Sequence, residues 1–168
     1  MKKSTMPSAA TRSQEIISLL NESWLPRLYR DRIRKMRTRS YHLGESSRNA
    51  RVEIQHTLLG VELKVGRRRM LCPDLATARY LSVFARAGCK DVALPYDITQ
   101  ISRIADELES SWQRMFLLVD HGAPAQSRAL RTRIRSLLIA RLRKEIAEAG
   151  AGPSVPEFKL STRQRRLG

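Results

Sequence analysis

Residues Arg51–Asp97, RVEIQHTLLGVELKVGRRRMLCPDLATARYLSVFARAGCKDVALPYD, decide the fold. Val52, Ile54 and Leu58 alternate with Glu53, Gln55 and Thr57. Past Leu59-Gly60, Val61, Leu63 and Val65 alternate with Glu62 and Lys64. Period two on both sides of a glycine turn predicts a hairpin with one apolar and one polar face. With Leu58 opposite Val61, His56 faces Leu63 and Ile54 faces Val65, which makes His56 a hydrogen-bonded core residue. The same register sets Thr57 opposite Glu62 and Gln55 opposite Lys64. Gly66 allows a bend before Arg67, Arg68 and Arg69. Pro73-Asp74 opens a helix, with proline in its first turn and an acid at its positive end. That helix is apolar around most of its circumference and stops at Gly88. Val92-Ala93-Leu94 fits an inner strand, kept short by Pro95.

Working outward, Asp97 and Gln100 form a capping box for an amphipathic helix carrying Ile98, Ile101, Ile104, Leu108, Trp112 and Met115. Phe116–Val119 extends that helix or forms a short strand. Asp106, Glu107 and Glu109 give it an acidic outer side, which faces away from a polyanion or pairs with the protein's own arginines. Gly122 and Pro124 break the chain. Gln126–Ala149 reads as a last, Arg-rich helix, with Leu130, Ile134, Leu137 and Leu138 as its apolar stripe and Arg141 intruding on it. Upstream, Ser13-Gln14-Glu15 opens a helix on Ile16, Ile17, Leu20 and Trp24, and Pro26 either breaks it or sits in the first turn of a new one. Over Pro26–Arg39, Leu28, Tyr29, Ile33 and Met36 share one side of a helix, and Arg27, Arg30, Arg34 and Arg37 the other. Ser40–Ala50 reads as a loop.

The expected fold class is α+β. A small, mostly antiparallel sheet (hairpin 51–71 plus strand 91–96) is packed by helices, with basic helical extensions at both ends. The organisation is a disordered basic N-terminus at 1–12, a basic helical extension at 13–40, an α+β core at 41–122, an Arg-rich helix at 123–150 and a basic tail at 151–168.

Composition narrows the function. The chain has 32 Lys and Arg against 16 Asp and Glu, a net charge of +16. A surplus of this size concerns partners rather than fold. Polyanions are its natural partners, and the preference for Arg suits bidentate phosphate contacts. No apolar run approaches the roughly 20 residues that span a bilayer. The N-terminus lacks the apolar core of a secretory signal. Its acid-free, Ser/Thr-containing character is compatible with organellar import, but a reducing cytoplasmic compartment is the expectation for two cysteines that make neither a disulfide framework nor a metal site.

The residues expected to meet nucleic acid are Arg27, Arg30, Arg34 and Arg37, the run Arg67, Arg68 and Arg69, and Arg128, Arg131 and Arg135. Arg163, Arg165 and Arg166 add a cluster in the tail. Separate clusters joined by helices suit tracking of a phosphate backbone. Cys72 and Cys89 read as small buried residues at element junctions. His42, His56 and His121 are scattered and form no zinc spacing or catalytic triad. No phosphate-binding glycine loop, RNP motif or zinc-finger spacing occurs. The leading expectation is a DNA- or RNA-binding protein acting through Arg–phosphate contacts, without catalysis or cofactor. An Arg-rich subunit of a ribonucleoprotein or other assembly is a further alternative, with a protein partner or homo-oligomer.

Glu62-Leu63-Lys64 carries the other alternative. Alternation puts the carboxylate and the ammonium on one face of a strand. This half-motif resembles that of PD-(D/E)xK nucleases, and the order strand 61–65, helix 73–88, strand 92–96 is similar to that of archaeal-type Holliday-junction resolvases. The resemblance covers residues 51–97. It implies a Mg²⁺-dependent nuclease, with Glu62 as a metal ligand and Lys64 as the catalytic lysine. The family's acid on the preceding strand is an Asp, and this chain offers only Glu53.

Overall fold

The computed structural model describes residues 8–45, 51–121 and 127–153, and over these the chain is α+β. Helix α1 (Ala9–Leu20) starts where the Ser8 hydroxyl accepts from Thr11 N, so it begins ahead of Ser13. The reading of 1–12 as irregular is therefore corrected at residues 9–12, while residues 1–7 lie outside the described ones. Ala9, Ser13, Ile16 and Leu20 form its buried stripe.

Pro26 does not separate two long helices. It sits in the first turn of a short helix, α2 (Leu25–Leu28), which runs directly into a π-helical turn, Tyr29–Ile33. The wide turn closes with Arg34 N donating to Tyr29 O at 2.9 Å. Helical structure ends there, so the expected helix to residue 39 is corrected. Thr38–His42 is instead strand β1. Tyr29 fixes this junction in the core. Its hydroxyl donates to Gly150 O (2.6 Å) and accepts from Ala93 N (3.0 Å). Its ring meets Phe84 edge-on at 5.6 Å, and Phe84 meets Tyr80 at 5.1 Å.

The stretch 51–71 is a three-stranded antiparallel meander, β2 (Val52–Thr57), β3 (Gly60–Val65) and β4 (Arg68–Cys72). Both connections are two residues long, Leu58-Leu59 and Gly66-Arg67. The register runs Ile54↔Leu63, His56↔Val61 and Thr57↔Gly60, two residues away from the one set by placing Leu58 against Val61. Gly60 explains the difference. Its φ of +129° takes the strained conformation of the turn, so Leu58 and Leu59 keep negative φ and become the tip. His56 keeps its face in either register but is exposed rather than in the core.

Helix α3 (Leu75–Ala87) covers the apolar face of this meander, burying Leu63, Val65 and Cys72. Asp74 caps it through Thr77 N at 2.7 Å. Strand β5 (Asp91–Pro95) does not join the meander. It forms a separate antiparallel pair with β1, with Tyr41↔Val92 and Arg39↔Leu94. The Arg68 guanidinium lies over Gly44, just past β1, and Nη1 reaches Glu45 O at 3.4 Å. That contact brings the start of β4 beside the end of β1.

Helix α4 (Ile98–Asp120) takes in Phe116–Val119 as helix. Its acidic side pairs with the protein's own arginines. Arg79 on α3 bonds Asp106 (2.6 Å) and Glu109 (2.7 Å), and Arg32 bonds Glu107. Helix α5 (Arg128–Ala149) buries Ile134, Leu138, Leu142 and Ile146, a repeat of four that leaves Leu137 and Arg141 outward. Arg141 therefore does not interrupt the stripe. Residues 122–126 and 154–168, which hold the Gly122–Pro124 break and the tail cluster Arg163, Arg165 and Arg166, lie outside the described residues.

Candidate nucleic-acid interface

Local geometry sorts the expected arginines into those held by the fold and those left on its surface. Arg34 belongs to the fold. Its Nε donates to Ala149 O (3.2 Å) and its Nη1 to Gly152 O (2.7 Å), with a longer bond to Thr38 Oγ1. A cation there satisfies carbonyls at the C-terminal end of α5, where the helix dipole favours positive charge. Arg68 is folded onto Gly44, which has no Cβ to occupy the guanidinium's place. Arg135 bonds Asp120 at 2.5 Å and lies 5.4 Å from the Phe116 ring centroid. Arg69 approaches Glu62 at 3.5 Å. Arg27 and Arg30 share Asp31 at 3.8 and 3.7 Å, and Arg27 also bonds Asn21. The Arg27 and Arg30 pairs with Asp31 are solvent-exposed and weak, so they compete poorly with phosphate, whereas the Glu62 side chain facing Arg69 is largely buried.

Arg37 lies on the surface, in the best-organised basic site. It sits over the Tyr96 ring at 5.1 Å from the centroid, and Arg39 is 6.0 Å from the same centroid. All three side chains are exposed, as is Lys35 nearby in the chain. The local sequence builds this site. In β1 the buried Thr38 points inward, so Arg37 and Arg39 flank it on the outside. Tyr96 follows Pro95 at the end of β5, and its N–H donates to Arg37 O at 3.2 Å. A ring holding guanidinium groups by cation–π attraction fixes them while leaving N–H edges for an oxyanion. Sequence reasoning missed Tyr96. The available signal was the Arg-Thr-Arg alternation, which reads as strand once helix is abandoned at residue 34.

Arg67, in the Gly66-Arg67 turn, is exposed, and so are Arg128, Arg133, Arg143 and Lys144 along α5. None of these forms an ion pair among the described residues. Arg131 is half-buried, and its Nε makes no hydrogen bond among the described residues. Arg86 and Arg103 add further exposed cations on α3 and α4.

The open face of the meander carries Arg51, Glu53, Gln55, Glu62, Lys64 and Arg69. Glu53 stands opposite Lys64, and Glu62 opposite Gln55, so the two carboxylates are diagonal neighbours. Each has a cation of its own. Arg51 bonds Glu53 at 2.7 Å, and Arg69 approaches Glu62. Among the described residues no group of three or more His, Cys, Asp and Glu comes together. β4 also intervenes between the Glu-x-Lys strand and α3, and β5 pairs elsewhere. The described residues do not fit the magnesium site, and the strands do not fit the order, that the nuclease resemblance implies.

Cys72 and Cys89 are buried and unpaired. Burial raises both thiols, Cys89 up to about 12. His42 bonds Asp91 at 2.6 Å on an exposed edge, and His121 ends α4. Among the described residues neither histidine hydrogen-bonds a Ser, Thr or Cys side chain. No helix among the described residues is long and apolar enough to cross a membrane. Comparison with protein-family models, curated proteins and solved structures finds no match to this chain.

Proposed function

We propose that this protein binds nucleic acid, DNA or RNA, chiefly through arginine–phosphate contacts and without catalysing a reaction itself. The observation that carries the reading is the surplus of cation after internal pairing. If every one of the 16 acids took one cation, 32 − 16 = 16 would remain. The acidic side of α4, which would otherwise repel a polyanion, is occupied by Arg79 and Arg32. The Arg37–Tyr96–Arg39 site supplies preorganised phosphate donors, and the exposed α5 cations extend the surface. Phosphate contacts of this kind give affinity and registration rather than base identity. Two buried, free thiols suit a reducing, cytoplasmic setting.

The test is binding to duplex and single-stranded probes across a salt series. Each neutralised phosphate contributes about 0.9 to the log–log slope on B-DNA and about 0.7 on a single strand. Arg37→Ala/Arg39→Ala should lower the slope on B-DNA by about 1.8. An unchanged slope in that variant would remove the site from the interface.

A further inference from the structure

Tyr96 is the one exposed aromatic residue among the described residues. Its N–H bonds Arg37 O at 3.2 Å, which continues the β1–β5 register one step past Thr38↔Pro95 and sets Tyr96 opposite Arg37 and diagonal to Arg39. The two guanidinium groups lie 5.1 and 6.0 Å from the ring centroid, and with both in place the residue is still 55% exposed. Neither Arg37 nor Arg39 forms an ion pair among the described residues. The acid next to the ring, Asp97, is engaged at the start of its own helix, where it accepts from Thr99 N (3.0 Å) and the Thr99 hydroxyl (2.7 Å). We propose that Arg37, Tyr96 and Arg39 form a stacking platform for an unpaired base, with the neighbouring phosphates on the guanidinium groups, so that the preferred ligand is a single strand of DNA or RNA.

The inference rests on the nucleic-acid reading above and names the form of the ligand. Aromatic rings and guanidinium planes are both surfaces on which bases stack. In a duplex the base faces are already covered by their neighbours, so only an unpaired strand offers one. A single strand repeats a base and a phosphate in every nucleotide, which matches a ring and two unpaired cations standing side by side. Stacking of this kind tolerates any base, because every base has a π-face. The platform is preorganised, since Tyr96 is tied through its backbone to the strand that carries both arginines. Other occupants fit less well. An acidic peptide would use the cations and leave the ring bare. A second copy would bring the same cations to the same place, and they repel. A bilayer would find one ring and Ile98, too little apolar area to hold.

The experiment uses the full chain and labelled strands of about 12 nucleotides: oligothymidine, oligouridine and an abasic strand with the same number of phosphates. Wild-type protein should bind a base-bearing strand about tenfold more tightly than the abasic one, the gain from one stacked base, with equal salt slopes. Tyr96→Ala should remove that gain, and Tyr96→Phe, which keeps the ring, should restore it. If the ring only held the guanidinium groups, Tyr96→Ala would weaken binding to both kinds of strand together and leave their ratio unchanged, so the ratio isolates the stack. A gain on oligothymidine, on oligouridine or on both supports the proposal and identifies the sugar. The Tyr96 side chain is exposed, so the fold is kept, which circular dichroism checks. A gain that survives in Tyr96→Ala overturns the proposal, and so does one that Tyr96→Phe fails to restore. Tyr96-dependent binding to anionic vesicles, with no gain on any strand, overturns it too. Tight, salt-dependent binding to all strands with no gain leaves the nucleic-acid reading standing, and the stack alone fails. Absence of any binding at low salt removes both.

Discussion

Arg34 Nη1 donates to the carbonyl oxygen of Gly152 at 2.7 Å, which ties the end of the π-helical turn to the chain just past α5. An arginine that belongs by spacing to a basic helical face is thus a structural residue. Arg34→Ala should lower stability by about 1–3 kcal/mol, the range for a charged hydrogen bond left unmade. Its effect on nucleic-acid affinity should be no more than that of removing any one positive charge. Urea unfolding beside a binding titration separates the two. A variant of wild-type stability with a large loss of binding would contradict the assignment.

Tyr96 acts by holding guanidinium groups, so its removal should differ from theirs. Tyr96→Ala should weaken binding several-fold with the salt slope unchanged, because no cation is lost. Tyr96→Phe, which keeps the ring face, should bind as wild type. If Tyr96→Ala instead lowers the slope as Arg37→Ala does, the ring is not merely organising its neighbours.

Burial holds the Cys89 thiol up at about 12, against an ordinary value of 9.0, and raises Cys72 in the same direction. The folded chain therefore favours the protonated thiol. That stabilisation is complete below pH 9 and is lost as pH rises toward 12, because the unfolded chain ionises first. A thiol reagent at pH 8 should label neither cysteine in native protein and both in urea. Cys89→Ala should flatten the loss of stability between pH 9 and 12. Fast native labelling at Cys89 would contradict its burial.

Glu62 is paired with Arg69, and with Glu53 as its diagonal neighbour it is part of no group of three or more potential metal ligands among the described residues. Millimolar Mg²⁺ should give no cleavage of plasmid, duplex or four-way junction DNA, and should only weaken binding by competing for phosphate. Cleavage that disappears in Glu62→Ala would restore the nuclease reading.

Much of the core was legible in the sequence because its patterns are local. Alternation over 52–65 marks the hairpin strands, the near-continuous apolar run 75–87 marks a buried helix, and Asp97 marks the start of α4. The misreadings lie where two periods compete or where long-range pairing decides. Residues 26–39 fit a helical wheel, yet helix stops at Ile33 and the end of the segment, where Thr38 pairs with Pro95, becomes strand. The register of the hairpin depended on which residues form the turn, and Gly60 settled it through its backbone conformation. The interface was legible as charge but not as geometry. Nothing local distinguishes Arg34, which reaches Gly152, from Arg37, which rests on Tyr96 across the β1–β5 pair.

The most direct measurement is the affinity of the wild-type chain for a B-DNA duplex between 50 and 200 mM salt. Engagement of six or more phosphates predicts a loss of about a thousandfold or more over that range. A change of less than about tenfold, or no binding at the lowest salt, would contradict the central claim that the unpaired arginines form a phosphate-binding surface.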